Sequence, residues 1–331
     1  LITYKGFRIH KKGSRCWTRI DGLALPEPAP GEVLVRVTYS SLNYKDALAG
    51  TGRGQILRTF PLVGGIDAAG VVVRTEDARF SEGLEVIATG WGMSYDHDGG
   101  YAQYLCVPGD WLVPCPTGLD ARSAMILGTA GFTAALAIHR LLVNAQMPEM
   151  GPILVTGASG GVGSIAVDIL NRLGFEVVAV SGKPALHDWL RTLGAQRVLG
   201  REELPEGMGL LGPAVWGGAI DNVGGDMLAR ITRTVRPRGN IASIGLAGGR
   251  DLNTSVMPFI LRGVSLLGCN SVDVPQPLRR LLWEHLAGDW RPPHLVEILT
   301  ATETLETLPR VFDDLLAGRL HGRVLVDISG S

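Results

Sequence analysis

Residues 153–180 limit the fold more than any other stretch of the chain. Residues 153–156 are a short β-branched apolar run, residues 157–163 a glycine-rich turn, residues 164–173 a helically spaced segment, and residues 177–180 a second apolar run. Parallel neighbouring strands need a crossover between them, so this order predicts a βαβ unit. Further apolar runs at 218–221, 240–244 and 264–267, with a helical stretch at 227–235, extend it to a doubly wound parallel α/β sheet.

The turn reads Val155-Thr156-Gly157-Ala158-Ser159-Gly160-Gly161-Val162-Gly163. In the GxGxxG register Ala158, Gly160 and Gly163 take the three small positions. Gly160 and Gly161 let the backbone approach a pyrophosphate, and Gly163 lets helix and strand pack closely. The helix N-terminus adds free N–H groups and a positive dipole end. A plain strand-to-helix turn is the competing explanation, and the complete βαβ setting favours a dinucleotide. At the end of the second strand an acidic residue selects NAD by binding the ribose hydroxyls. Here stand Ser181-Gly182-Lys183: a hydroxyl, a glycine and a cation, with no carboxylate to repel a 2′-phosphate. NADPH is the expected cofactor. Lys183 alone is equally explained as a solvated lysine, so the missing carboxylate carries more weight.

The first third has a different character. Short alternating runs at 33–38, 70–73, 85–89 and 104–107, separated by Gly, Pro and Asp turns, predict a β-rich, partly closed unit. Residues 122–143 predict a buried connecting helix or helix pair, broken only at Gly128 and Gly131. The tail offers a helix near 304–316 and a last strand at 323–328, expected to pack back on the first domain. The division expected is 1–122, 123–270 and 271–331.

With 46% apolar and 19% charged residues a large core is within reach, and a net charge of -1 without a polybasic run argues against nucleic acid or membrane as partners. The 45 glycines in 331 residues, against ~7% in an average protein, imply many tight turns. No signal segment and no uninterrupted apolar stretch of ~18 residues is evident, so a cytoplasmic location is expected. Cys16, Cys106, Cys115 and Cys269 are scattered, with neither zinc-site pairs nor a disulfide framework.

Several motifs are familiar. Ser41-Leu42-Asn43-Tyr44-Lys45-Asp46, Gly65-Ile66-Asp67-Ala68-Ala69-Gly70 and Thr89-Gly90-Trp91-Gly92 resemble the quinone-oxidoreductase-like medium-chain dehydrogenase/reductases. Gly128-Thr129-Ala130-Gly131-Phe132-Thr133-Ala134, Gly245-Leu246-Ala247-Gly248-Gly249 and Val256-Met257-Pro258-Phe259-Ile260-Leu261-Arg262 resemble the acryloyl-CoA reductase branch. The resemblance runs nearly end to end. It implies a GroES-like catalytic domain built from both chain ends, a Rossmann domain between them, a cleft holding NADPH, and a homodimer joined through the Rossmann sheets. Zinc-dependent relatives would have a cysteine near Asn43 and a histidine at Ile66, and a four-cysteine lobe; this sequence has none of these. An isoleucine cannot ligate zinc, so no metal is expected.

By matching position the resemblance puts Tyr44 at the nicotinamide, Ser159, Gly160, Gly161 and Val162 at the pyrophosphate, and Ser181, Gly182 and Lys183 at the 2′-phosphate. Arg201, Leu246, Ile260 and Ser271 complete the cofactor contacts, and Asn222 is expected to flank the nicotinamide from the strand ends. Lys183 stands where the branch more often has arginine, and Gln103 where it often has glutamate.

The implied chemistry is hydride addition to the β-carbon of an acryloyl thioester, an enolate, and proton delivery at the α-carbon. Tyr44 is the first candidate for proton donor or for a group orienting the nicotinamide; a tyrosine with a purely structural hydroxyl partner is the competing explanation. Arg323 ranks second, as a partner for the thioester oxygen, against a role covering a domain edge. His97 is a general-acid candidate or a solvated turn residue, and Asp46 and Asp67 are expected to order the catalytic loop. Arg53, Arg58 and Arg262 are candidate phosphate partners for a CoA tail, each also explained as a surface cation. A quinone or general enone reductase, and a non-catalytic NADPH-binding protein, are the alternatives; a zinc alcohol dehydrogenase is the weakest.

Overall fold

The computed structural model describes residues 3–205 and 209–330. In chain order it begins with β1 (Thr3–Lys12), β2 (Arg15–Ala24) and β3 (Glu32–Ser41), then α1 (Tyr44–Thr51). Next come β4 (Leu62–Val63), β5 (Asp67–Thr75), β6 (Glu85–Thr89), β7 (Tyr104–Pro108) and β8 (Leu112–Pro114). After α2 (Ala121–Val143) follow β9 (Ile153–Val155), α3 (Gly161–Arg172), β10 (Val177–Val180), α4 (His187–Thr192) and β11 (Arg197–Leu199). Then come β12 (Trp216–Asp221), α5 (Gly225–Thr234), β13 (Val235–Ser243), α6 (Met257–Arg262) and β14 (Ser265–Gly268). The chain ends with α7 (Gln276–Ala287), α8 (Leu295–Ile298), β15 (Leu299–Glu303), α9 (Leu308–Leu316) and β16 (Arg323–Asp327). It divides into two compact units: Leu1–Thr129 with Val272–Ala287 and Leu299–Ser331, and Ala130–Ser271 with Gly288–Ile298.

In the first unit a sheet runs β15-β16-β3-β5-β6-β8, with β7 paired to β3, and a smaller sheet runs β2-β1-β4. Val33, Val35 and Val37 of β3 point into a core shared with Val72, Leu105, Val326 and Phe312. Leu34 between them is buried too, so this part of β3 is covered on both faces, and only Arg36 is exposed. Gly70 is required there: a Cβ would stand 2.1 Å from Arg36 O on β3. The β1–β2 hairpin is not among the strands the sequence predicts, because β2 has no fully buried residue. Its sequence therefore carries little apolar alternation.

The second unit holds a parallel sheet of order β11-β10-β9-β12-β13-β14. Ile153 to Val155 and Val177 to Ala179 are fully buried, as strands covered on both faces must be. The sheet winds outward in both directions from β9 and β12. Ligands of open parallel sheets bind beyond the carboxyl ends at such a reversal. Here that point lies after Val155 and after Asp221.

Within α2, Gly128 has φ 52° and ψ -155° and breaks the helix, whereas Gly131 stays helical, contrary to the sequence reading that broke it at both. By length and composition α2 is apolar enough to cross a bilayer, but 72% of its most apolar window is buried inside the protein, as in a core helix.

Candidate active site

The glycine turn after β9 has the geometry its residues imply. Gly157 has φ 58°, and Gly160 N donates to Gly157 O at 3.0 Å, which folds the turn tightly. A Cβ at Gly163 would stand 2.4 Å from Gly157 O and 2.7 Å from Ala158 Cα, so only glycine allows helix and turn to pack this closely. No side chain caps the N-terminus of α3 at Gly160. Its first N–H groups are therefore not taken by a capping oxygen, which suits them to an anion.

Asn222 lies beside this turn because β12 neighbours β9. Its Nδ2 donates to Thr156 O at 2.8 Å and its N to Thr156 Oγ1 at 3.0 Å, while its buried Oδ1 has no hydrogen-bond partner among the described residues. Asp221 underpins the arrangement. It accepts from Thr156 Oγ1 at 2.6 Å and from Gly224 N at 2.7 Å, and burial pushes its carboxyl up from the usual carboxylate range. Leu246 follows Gly245, whose Cβ would meet Asn222 O at 2.2 Å, so this loop packs on the same strand end and leaves Leu246 68% exposed.

At the end of β10, the buried Ser181 Oγ accepts from Lys183 N at 3.2 Å and lies 3.3 Å from Ser159 Oγ. Gly182 is exposed, and a Cβ there would stand 3.3 Å from Arg201 Nε. Ser181, Gly182, Lys183 and Arg201 thus converge beside the glycine turn. Partial burial holds Lys183 below its usual pKa. The structure brings Ser159 through Val162, Asn222, Leu246 and this cluster to one end of the sheet. Ile260 is exposed on α6, and Ser271 Oγ accepts from Thr133 Oγ1 at 2.9 Å.

The first unit holds Tyr44 and a buried charged cluster. Tyr44 opens α1 and is 50% exposed. Asn43 before it is the N-cap, with its N–H donating to Asp46 Oδ2 at 3.0 Å, and Asp46 Oδ1 accepts from Ile66 N at 3.0 Å. Asp67 is fully buried and takes four hydrogen bonds: Ser41 Oγ (2.5 Å), Asn43 Nδ2 (2.8 Å), Thr129 N (2.8 Å) and Thr129 Oγ1 (2.5 Å). Arg323, 3% exposed, donates through Nε to Ile126 O and through Nη1 to Leu42 O and Asn43 Oδ1. Among the described residues its Nη2 has no hydrogen-bond partner. Gly128 makes room: a Cβ there would lie 2.5 Å from Ser41 Oγ, 2.6 Å from Asp67 Oδ2 and 3.0 Å from Arg323 Nη2. Burial, then the charge of Asp67, pushes Asp46 up to about 7. Burial pulls Arg323 down, and Asp67, Tyr101 and Asp46 oppose that pull.

Sequence reasoning named Asp46, Asp67 and Arg323 but not Ser41, Gly128 or Thr129 as their partners. Those residues lie within the 41–46 and 128–134 motifs, and no spacing rule links positions 41, 67, 128 and 323. His97 is half-buried, with Nδ1 against Asp98 O and its ring edge-on to Trp111. A zinc ion does not fit at Asn43 and Ile66: the Ile66 side chain is all carbon, and the Asn43 amide is engaged by Asp67 and Arg323. Among the described residues no group of three His, Cys, Asp or Glu side chains is arranged to hold a metal.

Residues 29–117 match the alcohol dehydrogenase GroES-like domain family, and residues 161–287 the zinc-binding dehydrogenase family. The chain is 46% identical over 311 residues to the acrylyl-CoA reductase AcuI of Ruegeria pomeroyi, covering 94% of each protein. It is 48% identical over 297 residues to the putative quinone oxidoreductase YhfP of Bacillus subtilis, covering 89% of this chain and 90% of YhfP. The crystal structure of that Bacillus protein with NAD bound has a TM-score of 0.96 at 43% identity, covering 99% of this chain and 100% of that one. The yhdH oxidoreductase of Salmonella enterica in complex with NADP has a TM-score of 0.94 at 44% identity, covering 98% of this chain and 99% of that one. With identities of 46% and 48% to these relatives over most of its length, the chain belongs to the quinone-oxidoreductase-like medium-chain dehydrogenase/reductases, in the branch that contains the acrylyl-CoA reductases.

Proposed function

We propose that this protein reduces the carbon–carbon double bond of acryloyl-CoA to give propanoyl-CoA, using NADPH. The observation that carries the cofactor is the convergence of Ser181, Gly182, Lys183 and Arg201 beside the glycine turn. The substrate rests on the likeness to the Ruegeria reductase over 94% of the chain.

Ser159, Gly160, Gly161 and Val162 hold the pyrophosphate with turn and first-turn N–H groups. Ser181, Lys183 and Arg201 hold the 2′-phosphate, Asn222 flanks the nicotinamide, and Leu246, Ile260 and Ser271 complete the contacts. Bound there, NADPH supplies the hydride that adds to the substrate β-carbon. The negative charge left on the α-carbon spreads onto the thioester oxygen; the Tyr44 hydroxyl delivers the proton to the α-carbon, and the half-exposed Tyr44 regains one from water. Arg323 acts one step back, holding Asn43 and so the start of α1. The double bond is already activated by its thioester, so no metal is required.

The test is NADPH oxidation against acryloyl-CoA, longer enoyl-CoA thioesters and a benzoquinone, with NADH in parallel. Acryloyl-CoA should give the highest kcat/KM, and a chelator should leave the rate unchanged. NADPH should bind at least ~10-fold tighter than NADH, ~1.4 kcal/mol, a modest demand on charge-assisted contacts. Lys183→Ala and Arg201→Ala should each narrow that gap. A faster benzoquinone at equal concentration would replace the substrate, and a preference for NADH, the cofactor type bound in the Bacillus relative, would remove the cofactor assignment.

The same reading includes a homodimer and a cytoplasmic location. β14 is the outer strand of its sheet, and Leu266 and Leu261 beside it are exposed, which leaves an apolar edge for a second copy. Sedimentation should give a dimer, converted to monomer by Leu266→Asp; a monomeric wild type would refute it. Four free cysteines and use of NADPH fit the cytoplasm, which fractionation of native cells would check.

A further inference from the structure

The fold separates the three arginines that the sequence offers a CoA tail. Arg262 is spent on backbone: Nη1 donates to Arg233 O at 2.8 Å and Val235 O at 3.2 Å, and Nη2 to Gly212 O at 2.5 Å. Arg53 pairs with Asp313 at 3.1 Å. Arg58 is exposed and, among the described residues, has no carboxylate partner. Its guanidinium lies 4.7 Å from the centroid of the Tyr95 ring, and Lys45 Nζ lies 5.6 Å from the same centroid. Both distances are within cation–π range. Arg58 N donates to Tyr95 O at 2.7 Å, so the backbone fixes the pairing.

Two cations therefore share one aromatic ring on a protein whose net charge is -1. Like charges this close repel, and a carboxylate between them would be the usual remedy. The acids next to these residues in sequence do not serve: Asp46 is buried and accepts from Asn43 N and Ile66 N, and Asp96 Oδ1 is turned to within 2.6 Å of where a Gly92 Cβ would stand. Two residues beyond Arg58, the Phe60 ring carries Lys11 Nζ at 5.3 Å, which lengthens the strip of cations and rings. Lys45 is the neighbour of Tyr44 on α1, and successive helical side chains diverge by about 100°. The strip thus lies close to Tyr44 without sharing its direction.

We propose that Lys45, Arg58 and Tyr95 bind the phosphorylated adenosine end of the CoA thioester. The two cations take phosphate oxygens, and the Tyr95 ring offers an edge or face to the base. This rests on the acyl-CoA reading of the substrate, and it is tested by binding so that the two fail separately.

The experiment is calorimetric titration of NADP-saturated protein with CoA, and with adenosine 3′,5′-bisphosphate as competitor. Wild type should bind CoA, and the bisphosphate should displace it. The double variant Lys45→Gln/Arg58→Gln should weaken CoA by ~10–100-fold, and Arg58→Lys should retain most of the affinity. NADPH also carries a phosphoadenosine, so its affinity is measured on the same variants and should not change. No CoA binding by wild type, or equal CoA affinity in the double variant, would overturn the proposal. A parallel loss of NADPH affinity would assign the strip to the cofactor instead. If the enzyme turned over quinones and not acryloyl-CoA, the proposed activity would fall, and the titration would still decide the CoA site.

Discussion

Asp67→Ala should lower the free energy of unfolding by ~3–5 kcal/mol, the range for breaking a buried charged network from one side. Four donors converge on that carboxylate, and its removal strands Ser41 Oγ, Asn43 Nδ2 and both donors of Thr129 in the interior. It also leaves the buried Arg323 without the carboxylate whose charge offsets its desolvation. Urea unfolding of wild type and variant at one pH measures the difference. A loss below ~1 kcal/mol, the size of an ordinary substitution, would mean the cluster is not an interdependent unit. Asp46 gives the same cluster a pH signature. Its folded pKa, about 7, lies above the 3.8 of an unperturbed carboxyl. A raised carboxyl pKa means the folded state holds the proton more tightly, so its stabilising contribution is complete below 3.8 and is lost as pH rises through about 7. The stability advantage of wild type over Asp46→Asn should accordingly shrink over that window. A constant difference would show that Asp46 titrates normally.

Tyr44→Phe should reduce turnover of acryloyl-CoA by ~100-fold with little change in NADPH affinity, as expected for loss of a general acid. The substitution removes one hydroxyl from a half-exposed side chain, so the fold should be undisturbed. Isotopes separate the chemistry from the residue. With NADPH deuterated at the transferred position, label should appear on the β-carbon of the product, and solvent deuterium on the α-carbon. Labels in the opposite sense would overturn the enolate route. Correct labels with unchanged turnover in Tyr44→Phe would keep the reaction and remove Tyr44 from it.

Much of the nucleotide-binding unit is legible in the sequence, because its signals are local. Strand bounds at Val177–Val180 and the turn from Gly157 to Gly163 follow from burial on both faces and from the lack of room for a Cβ at Gly163. The same holds for β6, read at 85–89 and found at Glu85–Thr89. Arg201 entered only through resemblance, since its place beside Gly182 depends on β11 lying next to β10.

The buried cluster belongs to the tertiary structure. Asn43, Asp67, Thr129 and Arg323 have no common periodicity, and their chemistry is set by which groups folding removes from water together. The same is true of the surface cations: sequence treats Arg53, Arg58 and Arg262 alike, and the fold gives them an aspartate, an aromatic ring and three carbonyls. Local backbone geometry is written in neighbouring residues and can be read from them. The partner of a charge is chosen by burial and strand order across hundreds of residues, and only the folded chain decides it.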